Sequence, residues 1–141
     1  SLTFDDNGFD EEKVWSVLDV VNLKQFAENQ LPNGLMTVIG DGHHGFSGGQ
    51  KQRIGIARAL YHSIDAIIMD EATSALDLTN EKQIMKKISK YCESMTMVLI
   101  THRHGSIEHL DHVIEMKDGK IISKTAAETY LKQMKTTYEP N

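Results

Sequence analysis

The sequence predicts an α/β fold in which a helical region comes first and a core with parallel strands follows. Three observations predict it. Apolar residues recur at helical spacing through the first sixty residues. Two continuous apolar runs, "AIIMDE" (Ala66–Glu71) and "TMVLITH" (Thr96–His102), flank one further helical pattern, which is the order of a parallel crossover unit. Both runs end in polar, ionisable residues, at the edge where ligands collect in a parallel sheet.

Asp10 is the expected N-cap of a first helix, because Val14, Val17, Leu18 and Val21 then form one apolar stripe. A shorter helix carries Leu23, Phe26 and Ala27 and is stopped by Pro32, Asn33 and Gly34. After the Gly-rich loop "TVIGDGHHG" comes "GFSGGQKQRIGIARAL" (Gly45–Leu60), a helix with Ile54, Ala57 and Tyr61 on one face. The two apolar runs read as strands buried on both sheet faces. Between them, Ile84, Ile88, Tyr91 and Cys92 keep helical spacing. "HVIEMKDGKIIS" predicts a hairpin turning at Asp118-Gly119, Thr125 with Glu128 a capping box for a last helix, and Thr136 the start of a loose tail.

A chain of 141 residues with 40% hydrophobic and 25% charged residues suits an ordinary soluble domain. Its net charge of −5 lacks the basic footprint of a nucleic-acid binder, so any anion site must be local. Cys92, the one cysteine, cannot form an internal disulfide and reads as a buried apolar residue. No apolar run approaches the roughly 20 residues that span a bilayer, so contact with a membrane goes through a partner.

The start of the helix after Gly45 poses a physical puzzle. Lys51 and Arg53 stand near its positive end, where the backbone dipole repels them. A bound anion resolves it, since Ser47-Gly48-Gly49-Gln50 offers a hydroxyl and unhindered amides to a phosphate. A plain N-cap with a flexible lead-in is the alternative. Asp70 and Glu71 at a strand end point to opposite sides, so one can anchor Mg²⁺ while the other orients or deprotonates water, the division that phosphoryl transfer needs. An acidic turn capping the next helix is the rival reading. His102 ends the parallel strand, which brings it near Asp70 and Glu71. His102, His104, His109 and His112 match no standard zinc spacing, and Lys86, Lys87 and Lys90 read as a solvated helix face.

The run from Gly45 to Arg103 resembles the ATP-binding-cassette (ABC) ATPases. Gly45–Leu60 resembles their signature sequence, with Phe46 where leucine is usual. Ile67 to Asp70 resemble the Walker B strand, Glu71 the catalytic glutamate, Ser74 to Asp77 the D-loop and His102 the switch histidine. Upstream, "LPNGLMTVIGDGHHG" resembles the loop that faces the membrane domain in ABC exporters, with Asp41 in place of glutamate and His43 and His44 as solvated neighbours.

The resemblance implies a partial P-loop NTPase core. Residues 1–62 form its helical, signature-bearing subdomain, and 63–141 the C-terminal half of the ATPase core. It implies ATP and Mg²⁺ as cofactors, Asp70 as the magnesium ligand through water, Glu71 as general base and His102 as the group that holds the γ-phosphate. Phe46, Ser47, Gly48, Gly49 and Gln50 close over ATP held by a second subunit, and Asp77 serves communication across that dimer. The partners implied are the second nucleotide-binding domain and a transmembrane domain, with no nucleic acid and no membrane insertion by this chain, on the cytoplasmic side of the cell membrane.

The sequence contains no Gly-x-x-Gly-x-Gly-Lys-Ser/Thr loop to wrap the phosphates: Gly119-Lys120 is followed by Ile121, in the hairpin. The chain therefore reads as the C-terminal portion of a nucleotide-binding domain, with no hydrolysis expected of it alone. Its strand Thr96–His102 is expected to keep an unpaired hydrophobic edge that favours self-association. An ABC ATPase outside transport, or a non-catalytic phosphate- or nucleic-acid-binding module, are the alternative functions.

Overall fold

The computed structural model describes residues 8–37, 46–62 and 64–138; Asp41, His43 and His44 lie outside them. Contacts divide the chain into two units, residues 1–100 and 101–141.

In the first unit Asp10 caps α1 (Glu11–Val20), its carboxylate accepting from the Lys13 amide at 3.0 Å. Val14, Val17 and Leu18 are buried, as their spacing requires. The chain reverses through Asn22, at φ 55°, into α2 (Lys24–Gln30), which ends before Pro32. A 3-10 helix (Gly34–Met36) follows, then α3 (Gly48–Tyr61). β1 (Ala66–Asp70), α4 (Leu78–Tyr91) and β2 (Thr96–Ile100) complete the unit. The strands pair in parallel, Ala66 with Thr96 through Asp70 with Ile100, as the two apolar runs predict.

α1 packs on α3 and α4, and Ile54, Ala57, Ile84, Met85 and Ile88 join its stripe in one core. Cys92 is in that core too, and burial pushes its thiol up. Glu81 of α4 is 0% exposed, with Thr73 Oγ1 donating to its carboxylate at 2.9 Å. Lys87 departs from the expected solvated face. Its Nζ donates to the Asp19 carbonyl at 2.9 Å near the C-terminus of α1, where a cation is favoured.

The strands also correct one expectation: they are buried on one face only. Ile67 and Met69 point into the core, whereas Ile68 is 72%, Val98 45% and Ile100 48% exposed. All described helices of this unit that join the core meet the sheet from the Ile67 and Met69 side, so alternation leaves the Ile68 side uncovered. The continuous apolar run therefore marks a strand whose second face has no cover within the described residues.

The second unit holds a 3-10 helix (His104–His109), β3 (His112–Lys117), β4 (Lys120–Ala126) and α5 (Ala127–Tyr138). The antiparallel hairpin turns at Asp118 and Gly119, both at positive φ, as expected. Thr125 is not a helix cap. It pairs with Val113, because the ladder runs on to Ala126, and α5 begins with the Ala127 amide donating to the Asp111 carbonyl at 3.0 Å. Nor does the tail loosen at Thr136, which lies inside α5 with its hydroxyl bonded to the Lys132 carbonyl at 3.0 Å.

Candidate functional site

The candidate site begins at the N-terminus of α3. Ser47, in extended conformation, is the N-cap: its hydroxyl accepts from the Gln50 amide at 3.2 Å, and Gln50 Oε1 accepts from the Ser47 amide at 2.8 Å. This reciprocal pair is a capping box. The first intrahelical bond runs from the Lys51 amide to the Ser47 carbonyl at 3.0 Å, so the amides of Gly48 and Gly49 have no intrahelical acceptor. Ser47 and Gly48 are exposed, and a Cβ on Gly48 would meet nothing within 4 Å. Such a helix start suits an anion. Phe46 lies behind it, buried, its ring edge-on to Phe26 with centroids 5.5 Å apart.

Gly49 serves a different need. A Cβ there would stand 3.2 Å from Leu76 Cδ2 and 3.4 Å from the Ala75 carbonyl oxygen, so the bare Cα lets α3 lie against the Ser74–Asp77 loop. Gln52, one helical turn on, fastens the contact. Its Nε2 donates to Ser74 Oγ at 3.1 Å, and its Oε1 accepts from the Ala75 amide at 3.2 Å. Sequence reasoning missed Gln52. Its i, i+3 relation to Gly49 was the available signal, since both residues share a face.

Arg53 turns away from the helix start. Its Nη1 donates to the carbonyls of Asn22, at 3.1 Å, and Val21, at 3.4 Å, and its Nε to the Gly49 carbonyl at 3.2 Å. Burial pulls its guanidinium below the ordinary arginine range. Arg53 thus caps the end of α1 rather than facing an anion at the helix start, and Lys51 is the exposed cation of the first turns of α3.

At the end of β1, Asp70 is exposed and shares the uncovered sheet face with Ile68. Glu71 lies just beyond the strand, where its amide donates to the Ile100 carbonyl at 2.9 Å. Its φ of 45° is left-handed, a strain of about 1–2 kcal/mol in a residue with a Cβ. That torsion, rather than strand alternation, sets where its exposed carboxylate goes. The loop folds back through the Ser74 amide on the Glu71 carbonyl and the Leu76 amide on the Thr73 carbonyl, both at 3.0 Å. Asp77 ends it as the N-cap of α4. Its carboxylate accepts from the Asn80 amide at 3.0 Å, which holds the carboxyl below its ordinary range, and also from Asn80 Nδ2.

The structure therefore brings Ser47–Gln50 and Ser74–Asp77 together in one unit and joins Asp70 and Glu71 to the same loop. His102, exposed, belongs to the second unit, two residues past β2. Among the described residues, no three His, Cys, Asp or Glu side chains are grouped to hold a metal ion. An exposed helix start and the strand-end carboxylate of Asp70 thus adjoin a loop that carries the carboxylates of Glu71 and Asp77.

The sequence profile of the family described as "ABC transporter" matches residues 2–74. The chain belongs to the ABC transporter family. It is similar to the alpha-hemolysin translocation ATP-binding protein HlyB of Escherichia coli, 37% identical over 131 residues, or 93% of this chain and 18% of that protein. The leukotoxin export ATP-binding protein LtxB of Aggregatibacter actinomycetemcomitans is 39% identical over 131 residues, with the same coverage of both chains. The chain thus spans less than a fifth of the length of these ABC relatives. Among solved structures, a bacterial Atm1-family ABC exporter with ATP bound matches 96% of this chain, and 25% of its own, with a TM-score of 0.77 and 25% identity. The P-loop NTPase type of α/β fold expected from the sequence is the fold of that ABC exporter's nucleotide-binding domain. No described helix is long and apolar enough to cross a membrane.

Proposed function

We propose that this chain is part of the ATP-binding and hydrolysing subunit of an ABC exporter, in which ATP hydrolysis drives a solute or lipid across a membrane. One observation carries the reading: an exposed, capped helix start at Ser47 is fastened through Gln52 to the loop that bears Glu71. Relatives named for translocation and export, and the exporter-like loop around Asp41, favour transport over the other ATPase roles.

In an intact dimer the Ser47 hydroxyl and the amides of Gly48 and Gly49 would bind the γ-phosphate of ATP held by the second subunit, while the Gln50 amide keeps the cap closed. The residues fit that ligand, since a helix start with open space above Gly48 accepts an anion. Asp70 fits magnesium, which takes one or two carboxylates with water and phosphate rather than an all-protein cage. When bound there, Mg²⁺ would neutralise phosphate charge. Glu71 would take the proton of the attacking water at its carboxylate, and His102 would hold the γ-phosphate. Asp77, locked as a cap, would keep the loop rigid where the two subunits communicate. A transmembrane domain is the second partner, which places the chain on the cytoplasmic face of the membrane. The isolated chain, which lacks a phosphate-wrapping loop, would not hydrolyse ATP.

The deciding experiment is Glu71→Gln in the intact protein. Turnover falls by about a hundredfold or more, while ATP binding is kept. Unchanged turnover removes Glu71 from the base role and the reading with it.

A further inference from the structure

We infer that Gln52 is a positioning residue for ATP hydrolysis, an inference that rests on the function proposed above. Its side chain spans two elements that the reaction must hold in register. On one side is α3, whose first residues face a phosphate; on the other is the loop that starts at Glu71 and ends at Asp77. The amide group reads both polarities at once, accepting from the Ala75 amide at 3.2 Å and donating to Ser74 Oγ at 3.1 Å. Ser74 in turn closes on the Glu71 carbonyl at 3.0 Å, so three hydrogen bonds connect Gln52 to the backbone that sets the Glu71 torsion.

That torsion is left-handed in a residue with a side chain, so the surroundings must impose it. Gly49 gives the close approach and Gln52 the directional bonds; a bare Cα alone fixes no orientation. The Gln52 side chain bonds to the loop at Ser74 Oγ and the Ala75 amide. It acts through Ser74 and Ala75, which distinguishes it from Ser47 and Glu71. In the dimer, Ser47 and Glu71 of one chain serve different nucleotides, so Gln52 also joins the two pockets mechanically.

The test compares Gln52→Met with Gln52→Glu in the intact protein. Methionine keeps the length of the side chain and loses both hydrogen bonds. Glutamate keeps both, because it still accepts from the Ala75 amide and the Ser74 hydroxyl turns from acceptor to donor. Gln52→Met is expected to lower kcat by about tenfold, to move KM for ATP by less than about twofold and to speed hydrogen exchange at the Ala75 amide. Gln52→Glu restores kcat and exchange protection. Wild-type kcat in Gln52→Met overturns the inference, as does an equal loss in both variants or a loss accompanied by a falling melting temperature that glutamate does not rescue. A wild-type protein without turnover, or a Glu71→Gln variant at full speed, instead overturns the function beneath it.

Discussion

Arg53 Nη1 lies 3.1 Å from the Asn22 carbonyl oxygen, tying the second turn of α3 to the residue that ends α1 in left-handed conformation. The guanidinium fork serves that carbonyl, the neighbouring Val21 carbonyl and Gly49 together, and its pairing with the negative end of α1 is favoured by the helix dipole. Arg53→Ala is expected to destabilise the protein by about 1–2 kcal/mol, measured by urea unfolding. Arg53→Lys recovers little of this, because one ammonium group cannot hold three divergent carbonyls. Stability unchanged in Arg53→Ala would return the residue to anion binding.

Ser47 separates capping from phosphate binding. Aspartate is as good an N-cap as serine, so Ser47→Asp keeps the bond to the Gln50 amide and the melting temperature. The added charge faces the γ-phosphate, and turnover of the intact protein is expected to fall by about a hundredfold or more. Ser47→Ala does the reverse in part, lowering stability by about 1 kcal/mol through the lost cap. Full turnover in Ser47→Asp would show that no phosphate approaches this helix start.

The contrast between Ser47 and Arg53 shows which parts of the molecule a sequence makes legible. Local signals survive translation into structure. The Asp10 cap, the Ser47 cap and the Asp118-Gly119 turn each depend on residues a few positions apart, where geometry is fixed by the backbone, and the parallel pair is legible because each strand is a continuous apolar run with a helix between them. Contacts across the fold do not read this way. Arg53 finds Asn22, Lys87 finds Asp19 and Gln52 finds Ser74 over tens of residues, and helical spacing says only which face each occupies. Buried Glu81 is a further case: in sequence it is one more acid at a helix start, and the Thr73 hydroxyl at 2.9 Å helps make its burial tolerable. Thr125 failed for the opposite reason, since a good local cap motif lost to a strand ladder that ran on to Ala126.

Asp77 gives the cap of α4 a pH dependence. The Asn80 amide holds the folded-state carboxyl below its ordinary value of 3.8, so its contribution is fully present above that value and is lost as pH falls through the folded-state pKa. Asp77→Asn keeps a capping side chain without a charge. At neutral pH the wild type is expected to melt above this variant, and the gap holds down to about pH 5 and narrows on further acidification toward about pH 2. A constant gap across that range, by circular dichroism, would mean that the carboxylate charge contributes nothing to the cap.

The sheet predicts how the 141-residue chain behaves when expressed alone. Ile68, Val98 and Ile100 form one contiguous apolar face on paired strands, because residues in register in a parallel pair point the same way. Burying each such side chain fully would yield about 1.5–3 kcal/mol, and a two-stranded sheet has little stability of its own to oppose rearrangement. Self-association is therefore expected, visible as a mass above 15.9 kDa by light scattering on a sizing column. Val98→Lys with Ile100→Thr keeps the strand and charges its face, so the species should shift toward monomer while the far-ultraviolet spectrum holds. Lysine at position 98 also repels a like-charged copy, whereas Asp70 on the same face would attract it, so adding Asp70→Asn should complete the shift. A wild-type chain that is monomeric at high concentration and melts cooperatively would show that this face is stable in water without any cover.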